Sequence, residues 1–394
     1  MFELEEVASQ EAASSATVIK VIGVGGAGGN AVEHMIREGV GGVEFICCNT
    51  DSQALEKSSA HVKLQLGPGL GAGGKPDKAK ALAQADRGRI AEALEGAHMV
   101  FITAGMGGGT GTGAGPVIAE VARELGILTV AVVTKPFEYE GRRKRLAEEG
   151  VAELEKHVDS LIVILNEKLE EVLGDDVSML DAFKAADNVL RNAVGGIAEI
   201  INVPGLVNVD FEDVRTVMGE MGKAMMGSAV ASGVDRARIA AEEAVASPLL
   251  EGIELSGARG VLVNITASNT LGLKEYKDVM NTIRQYTAAD ATVICGAVFD
   301  ESMEDQLRVT VVATGLGAIA GKGRKPEMKV VETIGLRTGT DGFHVFDSTI
   351  GQVDLSGVAS SLRSSMPRNS QAEAMAASGI DTIDIPTFLR RQSD

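Results

Sequence analysis

The sequence predicts an α/β protein: a Rossmann-like parallel-sheet domain joined by a long central helix to a smaller α/β domain. Three observations lead to this prediction. From Val18, short apolar strands alternate with helices, which is typical of a parallel sheet covered on both faces. Residues 178–201 then carry one unbroken amphipathic helical pattern. After Pro204, strands and helices alternate again.

The first domain takes its elements from apolar runs and helical spacing. The predicted strands are 18–24, 43–48, 62–66, 99–104, 128–133 and 161–165, and the predicted helices are 30–38, 76–94, 115–125 and 142–157.

The long helix has Ser178 as its expected N-cap, with Asp181 three residues later. Its apolar stripe consists of Met179, Phe183, Ala186, Leu190, Val194, Ile197 and Ile201. In the second domain we predict strands 260–265, 292–299 and 308–313, and helices 237–246 and 273–286.

These patterns divide the chain into six parts. They are a disordered lead (1–16), a first domain (17–177), the central helix (178–203), a second domain (204–320), a flexible linker (321–379) and a terminal docking peptide (380–394). The linker assignment rests on its Gly-, Ser- and Thr-rich composition.

Composition limits the function classes. The chain has 394 residues, 45% of them hydrophobic, and a formal net charge of −18, which disfavours nonspecific binding to nucleic acid or anionic lipid. Its three cysteines form no CxxC pair and are expected to be free thiols. The acidic start lacks the pattern of a signal peptide. We therefore expect a soluble, cytoplasmic protein.

The most informative segment is glycine-rich and lies between a buried strand and an amphipathic helix. Five of the seven residues from Gly107 to Gly113 are glycines, which cannot fill a core and leave backbone N–H groups accessible. Such groups at the start of a helix form an anion site, most often for phosphate. A flexible turn is the alternative.

A second glycine segment, Gly23 to Asn30, fits G-x-G-x-x-G, and Asp51 follows about 20 residues later. Alone, this pattern is ambiguous between a dinucleotide such as NAD and a mononucleotide. The additional segment at 107–113 favours a triphosphate held by two loops. An NAD-dependent oxidoreductase is the competing hypothesis, and it leaves that segment unexplained.

A third glycine-dense stretch, 67–76, nearly matches the Walker A pattern from Gly69. Pro76 stands where that pattern has Ser or Thr for Mg²⁺. We therefore reject a P-loop assignment.

Several carboxylates follow Asn208, including Asp210 and Asp213. On spacing alone this segment is equally well explained as a polar turn in which Asp210 caps a helix.

Taken together, the motifs resemble the FtsZ family of bacterial tubulin homologues. The resemblance covers nearly the whole chain except the linker. It is carried by GVGGAGGNAV (23–32), NTD (49–51), AGMGGGTGTGAGPV (104–117), NVDFEDVRTVM (208–218), GARGVLVNIT (257–266), LRVTVVATG (307–315) and DIPTFLRRQ (384–392).

The resemblance implies a GTPase with GTP or GDP as ligand and Mg²⁺ carried by the nucleotide, without direct side-chain ligands. Phe183 and Asp187 would stack on guanine and bind its N1/N2 edge, and Glu140 would contact the ribose. The remaining implied nucleotide contacts are Gly25, Gly26, Ala27, Gly28, Gly29, Asn30, Ala72, Gly73, Gly105, Gly107, Gly108, Gly109, Thr110, Gly111, Thr112, Gly113, Arg143 and Lys144.

The resemblance also implies head-to-tail protofilaments of the division ring at midcell. Asp210 and Asp213, with Asn208, would act on the nucleotide of the neighbouring subunit. A non-catalytic scaffold is the second alternative, and turnover distinguishes it.

The terminal peptide would bind membrane-tethering partners of the FtsA and ZipA type, so that membrane is reached only indirectly. The implied contacts are Asp384, Ile385, Pro386, Phe388, Leu389 and Arg390.

Two departures from the family pattern stand out. The stretch 67–76 is about four residues shorter than the family loop that senses the γ-phosphate. Lys144 occupies the position of a nucleotide-contacting Arg, and Lys lacks the planar guanidinium fork.

Overall fold

The computed structural model describes residues 17–174, 177–203, 209–220, 222–247, 257–288 and 290–316. The predicted lead, linker and docking peptide lie outside these residues, as does Asn208.

The strands of the described residues form one ten-stranded sheet in the order β3-β2-β1-β4-β5-β6-β7-β10-β8-β9. Their bounds are β1 Ile19–Val24, β2 Val43–Asn49, β3 Val62–Gln65, β4 Met99–Gly105, β5 Leu128–Lys135, β6 Ser160–Leu165, β7 Gly222–Ser232, β8 Gly260–Ala267, β9 Thr292–Phe299 and β10 Gln306–Leu316.

Eleven α-helices accompany this sheet in the same residues. They are α1 Gly25–Arg37, α2 Ser52–Glu56, α3 Pro76–Ala85, α4 Arg87–Leu94, α5 Thr110–Glu124, α6 Arg142–Leu154, α7 Asn166–Leu173, α8 Met179–Asn202, α9 Phe211–Met218, α10 Arg236–Val245 and α11 Leu273–Tyr286.

The sheet is parallel from β3 through β7, as predicted for the first domain. β10 then runs antiparallel to both β7 and β8, and β8 pairs parallel with β9. The second half therefore continues the sheet of the first through β6 and β7, where Ser160 pairs with Gly222.

The core lies on both faces of the sheet because alternate strand residues point to opposite sides. Phe101 belongs to the cluster under α1 and α8, whereas its neighbour Ile102 belongs to the cluster under α3 to α6. The near-continuous apolar strands predicted this arrangement.

The central helix α8 begins as predicted, because the Ser178 hydroxyl accepts a hydrogen bond from the Asp181 N–H (3.2 Å). Its apolar stripe is buried from Ala186 to Ile197, and Ile201 at its end is partly buried. The stripe was predicted too long at its N-terminal end, since Met179 and Phe183 are exposed.

Other details also differ from the prediction. Helix 76–94 is divided at Asp86, and α1 and α5 begin at Gly25 and Thr110, several residues earlier than predicted. The sequence patterns did not predict β7, α2 or α7. Within the described ranges, none of the helices has the length and apolar character that crossing a membrane requires.

Candidate functional site

Three glycine-rich segments leave the sheet at one edge. They follow β1, β3 and β4, which run in the same direction. The carboxyl ends of parallel strands meet at a single edge, the usual ligand-binding edge of such sheets. The structure therefore brings together residues that are distant in sequence, such as Gly25 and Gly111.

The first segment passes directly from β1 into α1. Gly25 has a φ of +77°, and a Cβ built on it would lie 3.0 Å from the Gly111 nitrogen. A Cβ on Gly28 would lie 2.3 Å from the Thr103 carbonyl oxygen. These glycines therefore allow the helix to pack closely on the strand. The sequence pattern predicted an anion site here and did not predict this packing role. Gly26, Ala27 and Asn30 are exposed at the edge.

The second segment contacts both neighbouring elements. A Cβ on Gly105 would lie 2.6 Å from the Cβ of Ala27, and one on Gly107 would lie 2.6 Å from the Arg143 carbonyl oxygen. The Gly107 N–H donates to the Thr112 hydroxyl (2.9 Å). Residues 110–113, predicted as loop, form the first turn of α5. The N–H groups of residues 110–112 point out of the helix end, whereas the Gly113 N–H donates to the Gly109 carbonyl oxygen (3.1 Å).

The third segment is fixed to the end of β2. The Gly71 N–H donates to the Thr50 carbonyl oxygen (2.8 Å), and the hydroxyls of Thr50 and Thr110 are 2.7 Å apart. The third segment also contacts the second, because a Cβ on Gly109 would lie 3.0 Å from the Ala72 Cβ. Ala72 and Gly73 thus lie beside the second segment.

A cavity of about 280 Å³ opens next to the first segment. Besides the predicted Gly25, Gly26, Gly29 and Asn30, its lining includes Cys47, Cys48, Asn49, Lys57 and Ser58. Sequence reasoning did not assign these residues to the site. Their position at and after the carboxyl end of β2 was the available signal.

The predicted base site has an aromatic and an acidic component, one helical turn apart on α8. Phe183 is 46% exposed and meets the Phe137 ring edge-on, with 6.1 Å between the ring centroids. Burial raises the pKa of Asp187 to about 6, although His34 and Arg37 act in the opposite direction. An exposed ring beside a carboxylate that is mostly ionised at pH 7 suits a flat base with N–H donors.

Glu140 connects this region to the glycine segments. Its carboxylate accepts from the Phe137 N–H (3.2 Å) and from the Arg143 guanidinium (2.6 Å). Arg143 in turn lies against Gly107 through its backbone. Lys144 forms an ion pair with Glu138, whose hydrogen bond raises the pKa of the lysine.

Asp210 and Asp213 lie at the opposite edge of the sheet. Asp210 caps α9 by accepting from the Asp213 N–H (2.8 Å), as the capping alternative predicted. The α9 residue Phe211 contacts His98, which immediately precedes β4. A seven-residue strand rises roughly 20 Å, so these carboxylates are remote from the glycine segments of the same chain.

The described part of the chain contains no group of three or more His, Cys, Asp and Glu residues that could enclose a metal ion.

Two family models match this chain. One describes the GTPase domain of the Tubulin/FtsZ family and matches residues 18–174. The other describes the C-terminal domain of the FtsZ family and matches residues 222–317. Together, the two matched regions include all ten strands of the sheet.

Curated relatives resemble the chain over its whole length. The cell division protein FtsZ of Coxiella burnetii is 53% identical over 398 residues, covering 99% of each chain. That of Azotobacter vinelandii is 53% identical over 405 residues, covering 100% of each chain.

Solved structures share the fold. An empty FtsZ dimer from M. jannaschii has a TM-score of 0.73 and 43% identity, covering 76% of this chain and 88% of its own. A GTPγS-bound protofilament of CetZ2 from Haloferax volcanii, at 20% identity and a TM-score of 0.64, covers 76% of this chain and 94% of its own, and shares the fold alone. On the family models and the full-length identities, the chain belongs to the FtsZ family.

Proposed function

We propose that this chain is a GTPase that polymerises head to tail and serves cell division. The observation that carries the proposal is the placement of two half-sites. The glycine segments lie at the carboxyl edge of the sheet, and the acidic start of α9 lies at the amino edge. Stacking two copies head to tail brings one edge against the other, and such a contact propagates into a filament rather than closing.

Guanine nucleotide binding follows from the carboxyl edge. Backbone N–H groups at the starts of α1 and α5 face the phosphates, where the helix dipoles favour negative charge. Phe183 stacks on the base, and the Asp187 carboxylate accepts from its N1–H and N2–H groups. Adenine lacks that pair of donors, so the carboxylate selects guanine.

Glu140 and the backbone around Arg143 complete the site on the ribose side. Arg143 supplies the planar guanidinium fork that Lys144 lacks. Lys144, already paired with Glu138, contributes to the local charge.

Hydrolysis uses carboxylates from the next subunit. Asp210 and Asp213 orient and polarise the water that attacks the γ-phosphate, and Asn208 is assigned to the same function. Phosphoryl transfer requires mainly positioning and charge stabilisation, so a water held by two carboxylates is a sufficient addition to a bound triphosphate. A lone subunit lacks this part of the machinery.

Mg²⁺ accompanies the nucleotide in this proposal. Mg²⁺ retains several waters and takes few protein ligands when phosphates are available, so no side chain of this site is assigned to it. When bound, it neutralises charge on the terminal phosphates.

The terminal peptide gives the filament its partners. Phe388 and Leu389, with Asp384, Ile385, Pro386 and Arg390, dock on tethering proteins of the FtsA and ZipA type. The protein would then be cytoplasmic, reach the membrane through those partners and concentrate at midcell.

The test is GTP hydrolysis per subunit, with Mg²⁺, measured over a range of protein concentrations. We expect almost no turnover below a threshold concentration and a rising rate above it, because each active site needs a neighbour. A concentration-independent rate would contradict the shared site. Absence of hydrolysis at all concentrations would favour a scaffold, and binding of NADH without any response to GTP would favour the oxidoreductase hypothesis.

A further inference from the structure

The third glycine segment ends in a lysine that the proposed function does not use. Residues 69–75 read G-x-x-x-x-G-K, and they connect the strand β3 to the helix α3. In that arrangement of strand, loop and helix, the lysine of a Walker A motif reaches the terminal phosphates. Pro76 removes the hydroxyl that would hold Mg²⁺, but it leaves the role of the lysine open.

Lys75 lies directly against the second glycine segment. Its backbone nitrogen is 3.0 Å from the position that a Cβ on Gly109 would occupy, and the Cα of Gly74 is 3.2 Å from the same point. The first segment contacts the second at a different place, because Gly25 faces Gly111. The start of α5 therefore lies between the first and third segments.

The charge of Lys75 is uncompensated. The residue is exposed, and across the described residues it has neither an ion-pair partner nor a side-chain hydrogen bond. Two other lysines on α3 are engaged: Lys78 donates to the Gly71 carbonyl oxygen (2.8 Å), and Lys80 pairs with Glu153 (3.3 Å). An unpaired ammonium on a flexible stem is thus held at the edge of an anion site.

We infer that the Lys75 ammonium contacts the terminal phosphate of the bound triphosphate and makes the site prefer GTP over GDP. The inference rests on the proposed function. The first segment at α1 holds the inner phosphates, and Lys75 stands on the far side of the α5 start, where an additional phosphate extends. A lysine ammonium is a compact point charge that does not fix the orientation of the phosphate it contacts. It therefore suits a phosphate that leaves after hydrolysis.

The same exposed ammonium could instead form an ion pair with an acidic side chain of the next subunit, such as Glu212. These two roles differ in an observable way. A γ-phosphate contact changes nucleotide affinity in the unassembled protein, whereas a contact between subunits changes only the threshold for assembly.

The experiment measures GTP and GDP affinities by calorimetry on the full chain, below the assembly threshold and at constant Mg²⁺. We compare wild type with Lys75→Met, Lys75→Arg and the control Lys80→Met, which lies on α3, the helix that follows Lys75. Loss of a charged hydrogen bond should weaken GTP binding by about 10- to 100-fold. GDP binding should change by less than about twofold. Lys75→Arg should recover most of the GTP affinity, and Lys80→Met should resemble wild type.

Three outcomes would overturn the inference. GTP affinity could be unaffected by Lys75→Met, GDP affinity could fall as much as GTP affinity, or only the assembly threshold could rise. Thermal unfolding of Lys75→Met checks that its fold is intact, and recovery by Lys75→Arg excludes a purely structural loss. If wild type binds neither nucleotide, the proposed function fails. If wild type prefers GTP and Lys75→Met keeps the same preference, only the inference about Lys75 fails.

Discussion

At the scale of single residues, Asp187 combines a cost in stability with a role in recognition. Burial holds its pKa at about 6, above the ordinary value of 3.8. Between these two pH values the folded protein binds more protons than the unfolded chain, so its stability falls as pH rises. Above pH 6 the full cost of burying the charged carboxylate is present.

We predict that Asp187→Asn stabilises the nucleotide-free protein while weakening its binding of GTP. The free energy of unfolding at pH 8 should rise by roughly 1–2 kcal/mol, less than the pKa shift alone implies, because solvent screens the half-buried carboxylate. The gain should vanish near pH 4. GTP affinity should fall because the amide replaces an acceptor oxygen with a donor. Urea unfolding at both pH values and calorimetric titration with GTP provide the measurements.

Asp181→Asn on the same helix is the matched control. Hydrogen bonds from Ser178 and Lys184 lower the pKa of Asp181, so its substitution should reduce stability at pH 8. An Asp187→Asn protein that is less stable than wild type at pH 8 would contradict the burial argument.

At the scale of elements, the first turns of α5 show that glycines in one motif have different roles. A Cβ on Gly113 would lie 2.1 Å from the Pro76 carbonyl oxygen, whereas a Cβ on Gly115 would meet nothing within 4 Å. Gly113 therefore allows α3 and α5 to approach each other, and Gly115 does not serve close packing.

This contrast predicts opposite effects of two alanine substitutions in one helix. Gly113→Ala must displace α3 and should lower the free energy of unfolding by about 2 kcal/mol or more. Gly115→Ala should be neutral or raise it by roughly 0.5–1 kcal/mol, because alanine favours a helix. Chemical denaturation of both variants is the measurement, and equal effects would refute the packing role of Gly113.

The sequence predicted the alternating strands and helices because periodicity and buried apolar runs are local signals. It did not predict the break at Asp86, since the helical spacing continues through it. There the Asp86 carboxylate accepts from the Gly67 N–H (2.8 Å), a tertiary contact. It also missed β7, whose small residues carry little strand preference and whose register with β10 joins residues about 80 positions apart.

The candidate site likewise has residues that the sequence predicted and residues that it did not. The glycine segments were found as sequence motifs, and the segments at 23–30 and 107–113 were predicted to hold one triphosphate together. Periodicity alone would have placed Phe183 in the core, and it was the family resemblance that assigned it to the base. Cys47 and Asn49 were missed because residue type does not distinguish a pocket-lining residue of β2 from a core residue, and only their position at the carboxyl end of the strand does so.

At the scale of the whole molecule, the direction of the strands separates the two halves of the proposed active site. β4 leads from His98 beside α9 to Gly105 beside α1. In the proposed function a single chain would therefore present a nucleotide at one end and carboxylates at the other, and each interface between subunits would build one complete site.

Asp210→Asn tests this division because asparagine caps a helix as well as aspartate does. We predict that it retains GTP affinity and loses most of its turnover, by about 100-fold or more if the water is no longer polarised. Glu212→Gln, in the same turn, should keep most of the activity.

Mixing provides the decisive comparison. Asp210→Asn has an intact nucleotide edge, and Asp187→Asn has an intact acidic edge. An equal mixture should hydrolyse GTP faster than either variant alone at a GTP concentration that Asp187→Asn binds poorly. If the mixture were no more active than the average of its components, the carboxylates would have to act within one chain.

The Phe137–Tyr139 stack next to the base site also has a spectroscopic consequence. The chain has no Trp and three Tyr, so its ultraviolet emission comes from tyrosine. Tyr139 is 67% exposed, and its ring stacks on Phe137 with 5.3 Å between the centroids. The other two, Tyr276 and Tyr286, belong to α11 in the second half of the sheet. In the proposed function, a base bound beside Phe183 would change the surroundings of Tyr139, so the protein would carry a native fluorophore next to its nucleotide.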